Sequence, residues 1–134
     1  MADLNENLLC VAAGKGNIKD AADLIAQGVN VNAHSENGNT PLHYAAAYGR
    51  TNAVKFLVRH GANINEKGRA GMTALHLAAE GNKAETAVAL IELDADIFAT
   101  NDAKKTPMQI APFFKSTFWK MFIAVENKAR QKGN

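Results

Sequence analysis

A short sequence that returns at a fixed spacing constrains this fold more than any other feature. Residues 40–46 read TPLHYAA, residues 73–79 read TALHLAA, and residues 106–112 read TPMQIAP, each copy 33 residues after the last. A period of this size predicts a stack of similar units, because one such unit cannot bury its apolar face alone.

Each period also contains the signals for two short helices and a turn. Thr40 can cap the first helix, and Pro41 suits its first position, where an N–H would lack an intrahelical acceptor. Val54 and Leu57 follow at helical spacing in the second helix. Asn82 and Asp94 replace hinge glycines of the preceding unit, and both residue types tolerate left-handed backbone angles. The predicted helices are residues 8–13, 18–27, 41–48, 51–60, 74–80 and 84–93, and a last helix from residue 116.

The last period departs from this pattern. Pro112 should shorten the first helix of its unit. A strict period would place Lys120 at a buried position of the second helix. We therefore predict a shift of one residue that turns Trp119, Phe122 and Ile123 inward.

The repeated signature, the glycine between paired helices and the GANIN sequence of residues 61–65 together resemble the ankyrin-repeat family over about residues 4–112. The resemblance implies an all-α ankyrin-repeat solenoid of about four helix-turn-helix units with projecting β-turns. We expect one domain over residues 1–134, whose outer units act as caps. The expected units are residues 4–34, 35–67, 68–100 and 101–132.

Residues with catalytic or metal-binding chemistry do not converge in the sequence. His43 and His76 are two ligands at most, and a structural zinc site needs four. The resemblance instead implies that each imidazole bonds to a neighbouring turn. Cys10 falls at the same position of the first unit, which favours a buried, unreactive thiol. We expect no enzyme activity, no cofactor and no metal.

In the ankyrin family, partners bind to the β-turn tips and the exposed faces of the first helices, which form a concave groove. Tyr48 and Arg69 stand out at such positions, because tyrosine and arginine are enriched among residues that dominate binding energy. Met72 is an apolar residue at a turn. The resemblance implies these partner-binding residues: Tyr48, Arg69, Met72, Glu36, Asn37, Asn39, Lys67, Glu80, Asp102, Lys105, Phe113 and Phe114.

Charge and termini suggest the class of partner and the compartment. The net charge is +2, with acids and bases interspersed, so we expect a protein partner rather than nucleic acid or a membrane. The N-terminus is polar and acidic, whereas a secretory signal has a basic start followed by an apolar segment, so we do not expect a signal peptide there. We expect a monomeric adaptor or inhibitor in the cytoplasm, with the nucleus as the alternative.

Three alternatives remain open at this level. The aromatic residues at 113–122 either seal the last unit or form an exposed patch, which would favour a regulatory fragment of a larger protein. Asn32 and Asn65 match asparagines that are hydroxylated in the ankyrin family. The last helix could also bind nucleic acid or phosphoinositide through a set of basic residues, namely Lys115, Lys120, Lys128, Arg130 and Lys132.

Overall fold

The computed structural model describes residues 3–113 and 115–132, which fold into a row of helical pairs. The predicted all-α ankyrin-type solenoid is confirmed. A short 3-10 helix, Arg69–Gly71, lies in the turn before the third pair. The α-helices are α1 (Leu4–Lys15), α2 (Ile18–Ala26), α3 (Pro41–Ala47), α4 (Thr51–Arg59), α5 (Ala74–Glu80), α6 (Ala84–Glu92), α7 (Pro107–Ile110) and α8 (Ser116–Lys132).

The repeated signature builds the start of each first helix. In α3 the backbone N–H of Thr40 donates to Nδ1 of His43 at 3.1 Å, and Thr73 and His76 repeat this bond in α5 at the same distance. The threonine side chain in turn faces the N–H of the histidine, so that each residue caps the other. The sequence therefore determines these helix starts locally.

The left-handed hinges are also present as predicted. Gly49 has a φ of 71°, and Asn82, at the same place in the next unit, has a φ of 58°. Gly61 and Asp94 form the second such pair, with φ values of 97° and 71°. Asparagine and aspartate therefore keep the turn that glycine makes elsewhere in the chain.

Contacts between units hold the stack together. His43 Nε2 lies 2.9 Å from the carbonyl oxygen of Met72, and His76 Nε2 lies 2.8 Å from that of Lys105. The expected bond from each imidazole to the neighbouring turn is therefore confirmed. Asn32 also joins two units, since its Oδ1 accepts from the N–H of Asn63 at 2.7 Å. The core between the helices contains fully buried side chains, among them Leu42, Leu57, Leu75 and Leu90.

The last unit is shortened as predicted, but the predicted inward face of its long helix is wrong. α7 spans Pro107–Ile110 and ends before Pro112. In α8 the buried side chains are Thr117, Met121 and Ala124. Exposed fractions are 48% for Trp119, 45% for Phe122 and 56% for Ile123.

Hydrogen bonds at both ends of α8 account for this orientation. At the start, the Thr117 hydroxyl donates to Oδ1 of Asn82 in the loop between α5 and α6. Near the end, Lys128 forms an ion pair with Asp94 and donates to the carbonyl of Glu92 at 3.2 Å. The side of α8 that carries Thr117, Met121 and Lys128 thus faces α6, Phe118 packs partly against the core, and Trp119, Phe122 and Ile123 face away.

Candidate functional site

Three projecting turns, here called the tips, repeat one backbone conformation. They comprise residues 35–39, 68–72 and 101–105, each 33 residues after the last. The first residue of each tip donates its N–H to the carbonyl four residues later. The donor and acceptor pairs are Ser35 and Asn39 at 2.8 Å, Gly68 and Met72 at 2.9 Å, and Asn101 and Lys105 at 3.0 Å. The tips thus share one shape and differ only in their side chains.

Neighbouring tips are bonded directly to each other. The N–H of Arg69 donates to Oδ1 of Asn39 at 3.0 Å. The N–H of Asp102 donates to the carbonyl oxygen of Ala70 at 3.0 Å, and Ala70 adopts a φ of 60° to present that oxygen. The three tips consequently form one continuous edge.

Three predicted partner-binding residues already make contacts within the chain, and one of them, Met72, is buried. Met72 is only 8% exposed, because its side chain is buried directly before Thr73, the N-cap residue of α5. Asn39 is half-buried and uses its amide oxygen between tips. Asn37 is exposed, but its amide oxygen accepts from the Tyr44 hydroxyl at 2.9 Å and from Ser35. Met72 is therefore mostly withdrawn from the surface, whereas Asn37 and Asn39 use their amide oxygens to shape the tips.

Most of the remaining predicted residues are exposed along the tips and first helices. Tyr48 at the end of α3 is 61% exposed, and Phe113 after α7 is 62% exposed. Phe114 lies outside the described residues. The other exposed members of the predicted set are Glu36, Lys67, Arg69, Glu80, Asp102 and Lys105.

Tyr48 is held in place across a boundary between units. A Cβ atom added to Gly14 would lie 3.3 Å from Cδ2 of Tyr48, so the ring packs on the bare backbone at the end of α1. Cβ of Tyr44 lies 3.7 Å from the same added Cβ position. The Tyr48 ring is therefore supported by the backbone of the neighbouring unit.

An apolar row beside Tyr48 was missed by the sequence interpretation. It contains the residue one place after the His43 position in each unit, and it is half-buried or exposed in all four. The residue at this position differs from unit to unit, whereas its neighbours in the signature are nearly constant. That variation is the sequence signal by which the row could have been predicted. The row consists of Val11, Tyr44, Leu77 and Ile110.

Comparisons with known proteins agree with this architecture. A family model described as "Ankyrin repeats (3 copies)" matches residues 9–101. The chain belongs to the ankyrin-repeat family. An ankyrin repeat protein of fowlpox virus (strain NVSL) is 50% identical over 40 residues, which is 30% of this chain and 28% of the relative. The match therefore spans less than a third of that relative's length. Ankyrin repeats generally act as protein–protein interaction modules.

Charge on the ankyrin tips is uneven. Lys67 and Arg69 in or beside the second tip, and Lys104 and Lys105 in the third, are all exposed. The hydrogen bond from Asp102 to Ala70 joins these two tips; Asp102 is the one carboxylate within them, and Glu66 lies just before Lys67. This end of the edge is therefore positively charged.

Titratable groups inside the repeats are structural. Burial lowers the pKa of both His43 and His76, so both imidazoles are neutral at pH 7 and serve as hydrogen-bonding groups. Burial, together with the charge of Glu6, raises the pKa of the Cys10 thiol to about 12. Such a thiol stays protonated and is a poor nucleophile.

Metal-binding clusters and membrane-spanning helices are both absent from residues 3–113 and 115–132. No group of three or more His, Cys, Asp or Glu side chains in these residues could hold a metal ion. None of the helices in this part of the chain is both long and apolar enough to cross a bilayer.

Proposed function

We propose that the concave groove of this ankyrin domain binds a folded protein partner. The groove consists of the apolar row (Val11, Tyr44, Leu77 and Ile110), the ring of Tyr48, and the exposed side chains of the tips. The observation that carries the proposal is the exposure of Tyr48 on a backbone fixed by contacts with α1. A rigid, exposed aromatic side chain beside apolar surface is typical of residues that dominate protein interfaces.

The stiffness of the edge supports a role as adaptor or inhibitor. Each tip is closed by a backbone hydrogen bond, and neighbouring tips are bonded through Asn39 and Ala70. Binding to a surface that is already ordered costs little conformational entropy. The domain would recognise its partner without chemistry of its own.

The charge of the second and third tips suggests a partner with an acidic surface. Lys67 and Arg69 lie next to Lys104 and Lys105 across the bonded tips. Opposite charges across an interface speed association and select among partners. We therefore expect association to slow as salt concentration rises.

Affinity capture from the native organism tests the proposal, with wild type and the Tyr48→Ala/Arg69→Ala variant side by side. A captured partner should then bind the purified variant about 10–100-fold more weakly than wild type, as expected for the loss of anchor side chains. Lys55→Ala, at an exposed position of α4, is the matched control and should bind normally. Equal binding of the double variant and wild type would refute the proposal that the partner binds in the groove.

A further inference from the structure

Helix α8 carries large apolar side chains on two opposite sides. Met121 and Ala124 are buried against the rest of the stack. Trp119, Phe122 and Ile123, here called the outer face of α8, are each about half exposed. A helix at a protein surface usually has polar side chains on its outward side. The outer face therefore requires an explanation other than packing within the described residues.

The exposed rings of Trp119 and Phe122 form one cluster with Phe113 and with Phe118, which packs partly against the core. The ring of Trp119 lies 5.2 Å from that of Phe118, 5.4 Å from that of Phe113 and 6.3 Å from that of Phe122, centroid to centroid. All three pairs meet edge to face, which fixes the rings against one another. Contiguous exposed apolar surface of this kind marks a site of interaction.

The charges around this patch are not balanced, although those of the whole chain nearly are. Lys120 and Arg130 are exposed on α8, where Glu126 is the only carboxylate, and Lys132 lies near Asp94 on the Lys128 side of the helix. Lys128 is already bound to Asp94 and to a backbone carbonyl. The exposed part of the helix thus combines aromatic and aliphatic side chains with a local excess of cations.

We propose that the outer face of α8 docks on an anionic lipid surface. Tryptophan favours the boundary between headgroups and acyl chains, and lysine and arginine can lay their stems on apolar surface while their charges reach phosphates. A helix of 17 residues is about 25 Å long, enough to lie along a membrane. The expectation of no membrane contact rested on the net charge of the whole chain, which does not describe this helix.

Lipid fits this face better than nucleic acid does. Single-stranded nucleic acid stacks its bases on the open faces of aromatic rings. The rings here are packed edge to face among themselves, and Ile123 offers only aliphatic surface. Insertion of Trp119, Phe122 and Ile123 into the headgroup region uses all three side chains.

The test uses the full chain and sucrose-loaded vesicles of phosphatidylcholine, with and without phosphatidylserine. Trp119 is the only tryptophan in the sequence, so its emission reports directly on this face. We expect the protein to sediment with the phosphatidylserine vesicles, the emission to shift to shorter wavelength, and both effects to weaken with salt. Absence of binding to these vesicles would overturn the proposal.

Matched variants locate the contact. Ile123→Glu and Lys120→Glu should each lower binding to phosphatidylserine vesicles by about tenfold or more, since both change exposed side chains at the proposed contact. Lys55→Glu changes the net charge as much as Lys120→Glu, but on α4, and should retain most binding. Tyr48→Ala should bind vesicles normally. That result would show that the outer face of α8, and not the groove, contacts the lipid.

Two other results would also overturn the proposal. Equal losses in Lys55→Glu and Lys120→Glu would mean that net charge alone drives binding. A concentration-dependent dimer that Ile123→Glu abolishes, seen by sedimentation velocity without vesicles, would mean that a second copy of the chain covers this face. Circular dichroism of each variant should show an unchanged fold, because the altered side chains are exposed.

Discussion

The imidazole of His43 binds Thr40 on one side and Met72 on the other. Its Nδ1 accepts from the N–H of Thr40 at 3.1 Å, and its Nε2 donates to the carbonyl oxygen of Met72 at 2.9 Å. The first bond lies within the signature and the second crosses to the next unit. Together they require a neutral imidazole with its proton on Nε2.

Replacing this imidazole should therefore weaken both a helix cap and a contact between units. We expect His43→Ala to lower the free energy of unfolding by about 2–4 kcal/mol, from an unsatisfied carbonyl and a cavity. Gln109→Ala alters the same position of the last unit, where the side chain is exposed, and should cost less than about 1 kcal/mol. Urea unfolding of both proteins measures the difference, and equal losses would contradict the role given to the Met72 contact.

The two buried histidines should also make the stability depend on pH. Burial lowers their pKa from the ordinary 6.5, so below that value the unfolded chain binds more protons than the folded one. Their contribution is complete above the unfolded pKa and is lost as the pH falls towards the folded pKa. We expect a lower free energy of unfolding at about pH 5 than at about pH 7.5.

A variant without these titrating groups provides the control for that prediction. His43→Gln/His76→Gln uses the residue that the chain itself has at Gln109, whose Oε1 accepts from the N–H of Thr106 at 2.9 Å. The difference in unfolding free energy between the two pH values should shrink in this variant. A pH dependence as steep as that of wild type would assign the effect to other groups.

The two sides of α8 should respond differently to truncation. Met121 is buried, and Met121→Ala should lower the free energy of unfolding by about 2–5 kcal/mol. Trp119→Ala removes a larger side chain, but one that is half exposed, and should cost clearly less. Thermal and urea unfolding decide between the two orientations of the helix. A greater loss for Trp119→Ala would restore the inward orientation predicted from the sequence.

The left-handed backbone at Ala70 offers a stabilising substitution. Ala70 has a φ of 60° and is exposed, so glycine can take its place without losing packing. We expect Ala70→Gly to raise the free energy of unfolding by about 0.5–1 kcal/mol. Ala22→Gly, in the middle of helix α2, should lower it by a similar amount, because glycine is unfavourable in a regular helix. Destabilisation by both substitutions would show that Ala70 is not strained.

Sequence alone predicted much of the exposed edge of the tips, but it could not distinguish an exposed side chain from one that is buried or bonded to the next tip. Arg69 and Lys105 lie exposed at the tips as expected. Asn39 and Met72 occupy comparable places in the sequence, yet Asn39 binds the next tip and Met72 is buried. The distinction depends on the neighbouring unit, which lies about thirty residues away in the chain.

The sequence by itself determined the repeat, the helix caps and the left-handed hinges, because each depends on residues within one turn of one another. Thr40 with His43, and Asn82 in place of glycine, are local solutions of this kind. Only the tertiary structure decided which side of α8 faces the core. The helix has apolar side chains on both sides, so its periodicity is ambiguous. Burial of Met121 and Ala124 against the stack, with the bonds of Thr117 to Asn82 and of Lys128 to Asp94, selects one side and leaves Trp119 exposed.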